Sequence, residues 1–423
     1  MNTFKRKISI IEIAVLIVAL ISIFSLDAAY ADSKLDMPQL HSKAVSVYCL
    51  NTDEVLYEKN ANRRINPYST TKVLTAYLAA TKVSPKKVMK VDKKAAKIGE
   101  SSMYLEEGEK VSVGELLYGM LLPSGNDAAY MLGKAVSGDI PKFSKLMNKT
   151  AKEAGCKNTH FINPNGIKSK NHYSTAHDMM LLFKLAISND KVKKIAGTDV
   201  HYVAETNKHP RHVISNTAKI LDEEDLNIIA VKTGSWSDES TMVFAFEKDG
   251  LTYVCSLMQS DVGEREKDVR KIVKAVTGKT KQKMIANVGK KEGEAKVKLG
   301  SVKSVDAVLD SDVNVTVPAS GKKSAKSFVK TKVKLKENLE APLSKSDKVG
   351  EYTVYTNGQK VGVYNLVAKN DVPKGWIFSH IGLSNRMTVI IGFVILLVAL
   401  IIVRFVNISK NRKRRNQIRK SKH

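Results

Sequence analysis

The chain is predicted to be α/β: an antiparallel sheet with helices packed on it and an all-helical lobe, then a small all-β sandwich domain and a C-terminal transmembrane helix. Three observations carry this. Apolar strand-like runs at 44–50 and 253–258 flank a mostly helical stretch. From about residue 280 the pattern changes to strand-like alternation. Residues 387–406 are almost unbroken hydrophobic sequence, and twenty residues at about 1.5 Å rise span about 30 Å, a bilayer core.

Taken in order, Lys5-Arg6-Lys7, an apolar stretch over 8–26 and the small-x-small site Ala29-Tyr30-Ala31 read as a secretory signal over 1–31. Cleavage is expected after Ala31; Glu12 interrupts the apolar stretch and leaves an uncleaved anchor as the alternative. The catalytic unit is assigned to 32–278. It opens on a hairpin around Asp53, followed by Pro67-Tyr68 and an apolar helical run over 73–80. A second apolar helix over 116–122 breaks at Pro123, and the helical middle continues through Asp178-Met179-Met180-Leu181-Leu182. Strands return at 226–231 and 253–258, and a closing helix runs near 268–276.

The β-rich domain is assigned to 279–375. Val329, Thr331, Val333 and Leu335 alternate with lysines and predict a half-buried strand. Asn357-Gly358 between two β-rich runs predicts a hairpin. A juxtamembrane linker (376–386), the membrane helix (387–406) and a basic tail (407–423) complete the chain. The tail carries Lys410, Arg412, Lys413, Arg414, Arg415, Arg419, Lys420 and Lys422 with no acid among them, which predicts a cytoplasmic tail and an external body.

Three short motifs carry the chemistry. If Ser69 opens a helix in Ser69-Thr70-Thr71-Lys72, Lys72 falls one turn later on the same face. A serine hydroxyl needs a base to become a nucleophile, and a lysine held neutral by burial or a second cation serves. Lys232 is the candidate second cation. Ser124-Gly125-Asn126 offers a hydroxyl to relay a proton and an amide to hold substrate; the plainer alternative is two helix caps around Pro123. Lys232-Thr233-Gly234 ends a strand and offers a cation and a hydroxyl to a carboxylate. In this order the motifs are those of penicillin-reactive serine acyl-transfer enzymes.

Net charge is +27, and without its basic ends the body keeps about +17, a surface suited to anionic wall polymers or lipid headgroups. Nucleic acid is not an expected partner outside the cell. Three cysteines are an odd count; Cys49 and Cys255 lie in apolar runs and read as buried hydrophobes, with no disulfide expected. His160, His172 and His177 have no metal-ligand spacing, and neither a metal nor a cofactor is expected.

The chain resembles the D-alanyl-D-alanine carboxypeptidases, the low-molecular-mass penicillin-binding proteins of peptidase family S11. The likeness covers about residues 40 to 370 and includes the three motifs, 53–61, Leu121-Leu122-Pro123-Ser124-Gly125-Asn126-Asp127-Ala128-Ala129, 157–166 and His172-Tyr173-Ser174-Thr175-Ala176. It implies a serine β-lactamase/penicillin-binding-protein-like catalytic domain acting on peptidoglycan stem peptides, with β-lactam antibiotics as inhibitors. Ser69 would be acylated, with Lys72 as base and Ser124 as relay. Asn126, Lys232, Thr233 and Gly234 would bind substrate, Ser235 would complete an oxyanion hole with Ser69, and Arg265 would help hold the carboxylate. The flanks depart from the family, with Ile229-Ala230-Val231 where Asp-Gly is usual and Ser235-Trp236-Ser237-Asp238-Glu239-Ser240 in place of a threonine and an Ala-Gly pair. The expected activity is carboxypeptidase. The alternatives are a D,D-transpeptidase, a β-lactamase (which would carry Asp rather than Gly125) and a non-catalytic wall-binding protein.

Overall fold

The structure, a computed structural model, describes residues 35–420, so the expected signal over 1–31 lies outside the described residues. The chain divides into two units: residues up to Lys281 with Thr316–Ser324, and Gln282–Val315 with the chain from Ala325 onward.

The first unit is built on five antiparallel strands, β1 (Ala44–Cys49), β2 (Glu54–Lys59), β3 (Ile228–Trp236), β4 (Glu239–Lys248) and β5 (Leu251–Asp261). They lie in the order β2-β1-β5-β4-β3, so the first and last strands of the sheet meet in mid-sheet. All six residues of β1 are buried, because both faces are covered. Ala44 and Tyr48 join the core of the helical lobe. Val45, Val47 and Cys49 join a second core with Val269, Ile272, Val273 and Val276 of the closing helix. Cys49 and Cys255 are buried free thiols there, and Cys156 is half-buried.

The lobe includes α1 (Lys72–Lys82), α2 (Val113–Leu121), α3 (Asn126–Ser137), α4 (Ile140–Glu153) and α5 (Ala176–Ile187), with shorter helices at Lys93–Ala96 and Asp190–Ala196; α6 (Arg265–Val276) is the closing helix. Ordinary caps start three of them. Ser112 Oγ accepts from the Glu115 N–H (3.2 Å), Asp139 Oδ1 from Lys142 (2.7 Å) and Thr175 Oγ1 from Asp178 (3.0 Å). Helix α1 packs against α2, α3 and α5 through Val73, Leu74, Ala76, Leu78 and Ala79 and has no side-chain cap. It grows instead out of a 3-10 turn, Tyr68–Thr71.

In the second unit, β6 (Lys291–Lys298), β7 (Ser304–Leu309), β8 (Val329–Leu335), β9 (Leu339–Glu340), β10 (Lys348–Thr356) and β11 (Gln359–Ala368) form one sheet in the order β8-β10-β11-β7-β6-β9. The β10–β11 hairpin turns on Asn357 (φ 44°) and Gly358 (φ 83°), the left-handed pair that Asn-Gly predicts. Strand β8 forms where alternation placed it, but it is exposed along almost its whole length rather than half-buried. It is the edge strand: its partners Tyr352 and Val354 are buried, and among the described residues no further strand lies beyond it. Its lysines protect an open edge from unwanted pairing. Helix α7 (Asn385–Lys420) contains the expected 387–406 span but starts two residues earlier and carries the basic tail on as helix. By length and composition it can cross a membrane.

The lobe depends on its packing. Phe143 of α4 is fully buried, and Phe143→Ala is expected to lower the unfolding free energy of the first unit by about 3–5 kcal/mol, read from a denaturant midpoint.

Candidate active site

Ser69 lies in the 3-10 turn and Lys72 is the first residue of α1, so the serine precedes the helix rather than opening it. The turn is held under strain. Tyr68 has φ 47°, unfavourable for a residue with a Cβ, and is fixed at both ends. Its N–H donates to Asn66 Oδ1 (3.0 Å) and its hydroxyl to Glu239 Oε2 on β4 (2.7 Å). Thr70 and Thr241 hydroxyls both donate to the Pro67 carbonyl, at 2.5 and 3.1 Å.

Lys72 is fully buried, and its Nζ has three neighbours: Ser69 Oγ (2.8 Å), Asn126 Oδ1 (2.8 Å) and the Asn165 carbonyl (2.7 Å). Burial first, and the Lys232 cation second, push its pKa well below the ordinary lysine value. Two of the three neighbours are oxygens that can only accept. A neutral amine has two N–H groups for them, leaving its lone pair for the Ser69 hydroxyl proton.

Asn126 opens α3, and its Nδ2 donates to the Gly99 carbonyl (3.1 Å), which fixes the amide orientation. The helix-cap alternative does not hold. The N-cap is Gly125, without a side-chain cap, and the Asn126 side chain is committed to Lys72 and Gly99. Ser124 has φ 67°, and its buried Oγ has no hydrogen-bond partner among the described residues. An unpaired buried hydroxyl is unfavourable unless a ligand completes it. Gly125 is sterically required, since a Cβ would stand 2.8 Å from both Asp127 Oδ1 and the Gly119 carbonyl.

Strand β3 brings Lys232, Thr233 and Gly234 to the turn, all buried. A Cβ at Gly234 would lie 2.9 Å from the Ser69 nitrogen and 2.6 Å from Thr241 Oγ1, so glycine allows strand and turn to touch. Lys232 Nζ donates to the Thr233 carbonyl (3.0 Å); burial first, then Arg265, pull its pKa down to about 7. Thr233 Oγ1 is 2.6 Å from Thr217 Oγ1. Arg265 opens α6 and reaches the Gly234 carbonyl (3.4 Å), while its Nε donates to Glu266 (2.7 Å). Ser235 is exposed, opposite Ser240 on the solvent-facing end of the β3–β4 hairpin. The atypical flank falls there, with Ser237 at φ 52° in its two-residue turn.

Several residues of this site were not singled out for it by sequence. The loop carrying Asn163-Pro164-Asn165-Gly166 backs the serine: Asn165 supplies a carbonyl to Lys72, and the Pro164 carbonyl accepts from Thr75 Oγ1 (2.7 Å). Gly166 has φ 87°, and a Cβ there would fall 1.8 Å from the Tyr68 carbonyl oxygen. His172 accepts the Ile162 N–H at Nδ1 (3.2 Å), so its Nε2 carries the proton toward Thr71 Oγ1 (2.8 Å). Burial, then His160 and Lys72, lower its pKa to about 3, which makes it a neutral structural bridge. Asp127 accepts the Met103 and Leu105 N–H groups (both 3.0 Å) and so pins the loop that Asn126 touches. A backbone carbonyl leaves no signature in residue types; the Asn-Gly turn was the available signal.

Gly166→Ala combines a forbidden conformation with a clash, and is expected to destabilise the first unit by at least about 2 kcal/mol, seen as a lower thermal midpoint.

A family model described as D-alanyl-D-alanine carboxypeptidase matches residues 31–252, and one described as penicillin-binding protein 5, C-terminal domain, matches 281–374. Among curated relatives, the D-alanyl-D-alanine carboxypeptidase DacF of Bacillus subtilis is 30% identical, over 77% of this chain and 84% of its own. Among solved structures, penicillin-binding protein 5 from Haemophilus influenzae is 27% identical with a TM-score of 0.55, covering 80% of this chain and 99% of its own. The DD-transpeptidase of Streptomyces K15 is 28% identical with a TM-score of 0.53, covering 56% and 98%. With the first family model matched over more than half its length, the chain belongs to the D-alanyl-D-alanine carboxypeptidases of peptidase family S11.

Proposed function

We propose that this chain removes the terminal D-alanine from peptidoglycan stem pentapeptides through an acyl-enzyme on Ser69. The observation that carries the mechanism is the buried Lys72 amine, 2.8 Å from Ser69 Oγ and placed between two fixed acceptors. Ser69 Oγ attacks the carbonyl carbon of the penultimate D-alanine while its proton passes to Lys72. Ser124, with its unpaired hydroxyl, relays a proton to the leaving amine; the C–N bond breaks and D-alanine departs. Water then attacks the ester, with Lys72 taking its proton, and Ser69 is regenerated. The developing oxyanion is held by the Ser69 and Ser235 N–H groups. The substrate carboxylate is held by Lys232 and Thr233, with Arg265 behind them and no side chain at Gly234 to obstruct it. Asn126 positions the substrate backbone. β-Lactams enter by the same attack.

In this reading α7 is a single-pass anchor in the bacterial cell membrane, with its basic end in the cytoplasm and the catalytic unit outside. Gly125 argues against a β-lactamase of the kind that carries aspartate there, because the backbone leaves no space for a Cβ.

The test is to incubate the full chain with a labelled penicillin and with a pentapeptide ending in D-Ala-D-Ala. Covalent label and D-alanine release are expected from the wild type and neither from Ser69→Ala; label persisting in Ser69→Ala would overturn the assignment. An amine acceptor separates the outcomes, since a ligated product in place of free tetrapeptide marks transpeptidation.

The two lysines also predict a bell-shaped pH profile of kcat/KM. Activity falls on the acid side as Lys72 gains a proton. It falls again above about pH 7 as Lys232 loses the cation that holds the carboxylate, a loss appearing mainly as a raised KM.

A further inference from the structure

The second unit holds a cavity of about 720 Å³ between the β6–β7 hairpin and the segment leading into α7. Catalysis does not use it. Its walls carry Lys296, Lys298 and Lys303 from the hairpin and His380 from the short turn Ile377–Ile381. Strand alternation explains the lysines: Ala295 and Val297 are buried, so Lys296 and Lys298 project outward. Two acids also line the cavity. Glu294 is paired with Lys291 (2.6 Å), so the lysines face one remaining carboxylate, Glu340. Lys298 donates to the neutral Asn338 Oδ1 (2.7 Å) and lies opposite Glu340 in the β6–β9 pairing, so three lysines share that one carboxylate. Val302 and Leu383 add apolar wall.

The cavity's position relative to α7 is fixed by backbone. The Asn385 N–H donates to the Ser301 carbonyl (3.0 Å), the Trp376 N–H to Asn385 Oδ1 (2.8 Å) and the Gly375 N–H to the Leu299 carbonyl (2.8 Å). Asn385 starts α7 two residues, about 3 Å of rise, before the apolar run at Met387. The hairpin tip is therefore tied to the first turn of the membrane helix. Trp376, Phe378 and Ile381 in the connecting segment are 56%, 50% and 72% exposed, a run of large apolar side chains unfavourable in water and suited to a membrane–water boundary. With α7 across a membrane, a cavity at that depth, lined by lysines and partly apolar, would lie opposite lipid headgroups.

We propose that this cavity binds the phosphodiester headgroup of an anionic phospholipid. It rests on the reading that α7 crosses a membrane. Lys296, Lys298 and Lys303 hold the phosphate, and the exposed side chains of Trp376, Phe378 and Ile381 enter the interface beside it. A bound headgroup adds a second attachment to the single helix and restrains the β domain against the bilayer.

The full-length protein, purified in detergent, is offered phosphatidylglycerol or phosphatidylcholine, and retained lipid is counted by native mass spectrometry. Phosphatidylglycerol is expected to be retained on the order of tenfold or more over phosphatidylcholine. The triple variant K296Q/K298Q/K303Q is expected to lose that preference, and K296R/K298R/K303R to keep it. Equal retention of the two lipids, or an unchanged preference in the glutamine variant, would overturn the proposal. Displacement of the lipid by millimolar inorganic phosphate would also overturn it, marking a free-phosphate site. Flotation with phosphatidylcholine vesicles tests the anchor separately: wild type and glutamine variant both float if α7 inserts, whatever the cavity binds. Penicillin labelling unchanged in both variants shows that the first unit is intact.

Discussion

Two lysine side chains share a site from which water is almost excluded, and the rest of the catalytic unit is arranged around that constraint. Lys72 and Lys232 are each exposed by 1% or less, and the charge of one disfavours the charge of the other. Two cations in such surroundings do not both persist, and the surroundings decide which yields. Lys72 stands between two carbonyl oxygens that accept from a neutral amine as well as from a charged one. Lys232 lies on β3, where the proposed mechanism places the substrate carboxylate, and a carboxylate bound there would restore a full counter-charge. In the proposed mechanism the pair thus divides into a base and an anion holder by position, although the residues are chemically identical.

The packing serves to keep that division fixed. Asn126 is held by Gly99, and the loop it touches is held by Asp127, so the amide cannot rotate away from Lys72. Asn165 is placed by a loop whose glycine passes against the Tyr68 carbonyl, and the strained Tyr68 is locked by Asn66 and Glu239. Gly234 lets β3 press on the same turn from the other side. Three elements distant in sequence therefore converge on one turn, with glycine at two of the contacts. Such close approach gives a rigid site in which the proposed nucleophile and base need little rearrangement to react.

Much of this was legible in residue types. The antiparallel sheet with strands from both ends of the first unit, the helical lobe, the Asn357-Gly358 hairpin and the long apolar C-terminal helix follow from periodicity and turn chemistry. Lys72 lies within hydrogen-bond reach of Ser69 and Asn126, as the motif spacing suggested, and the Lys232 cation is near enough to depress its pKa. Other features were invisible because they belong to the backbone or to tertiary cover. The third neighbour of Lys72 is a carbonyl, which every residue has. The 3-10 turn before α1 depends on Tyr68 tolerating a left-handed conformation, which no propensity favours. Strand β8 alternates correctly but lies at an edge, and burial of an edge strand depends on what lies beyond it, not on its own pattern.

The central claim is that Lys72 is neutral in the free enzyme because it is buried beside a second cation. Lysine-specific carbon-13 labelling, with the Lys72 ε-carbon signal assigned by its disappearance in Lys72→Arg, measures this directly as pH is varied. A signal with the neutral-amine shift at pH 7, moving only on acidification, is the predicted result. A signal that remains charged through neutrality and titrates near the ordinary value of 10.5 would contradict it.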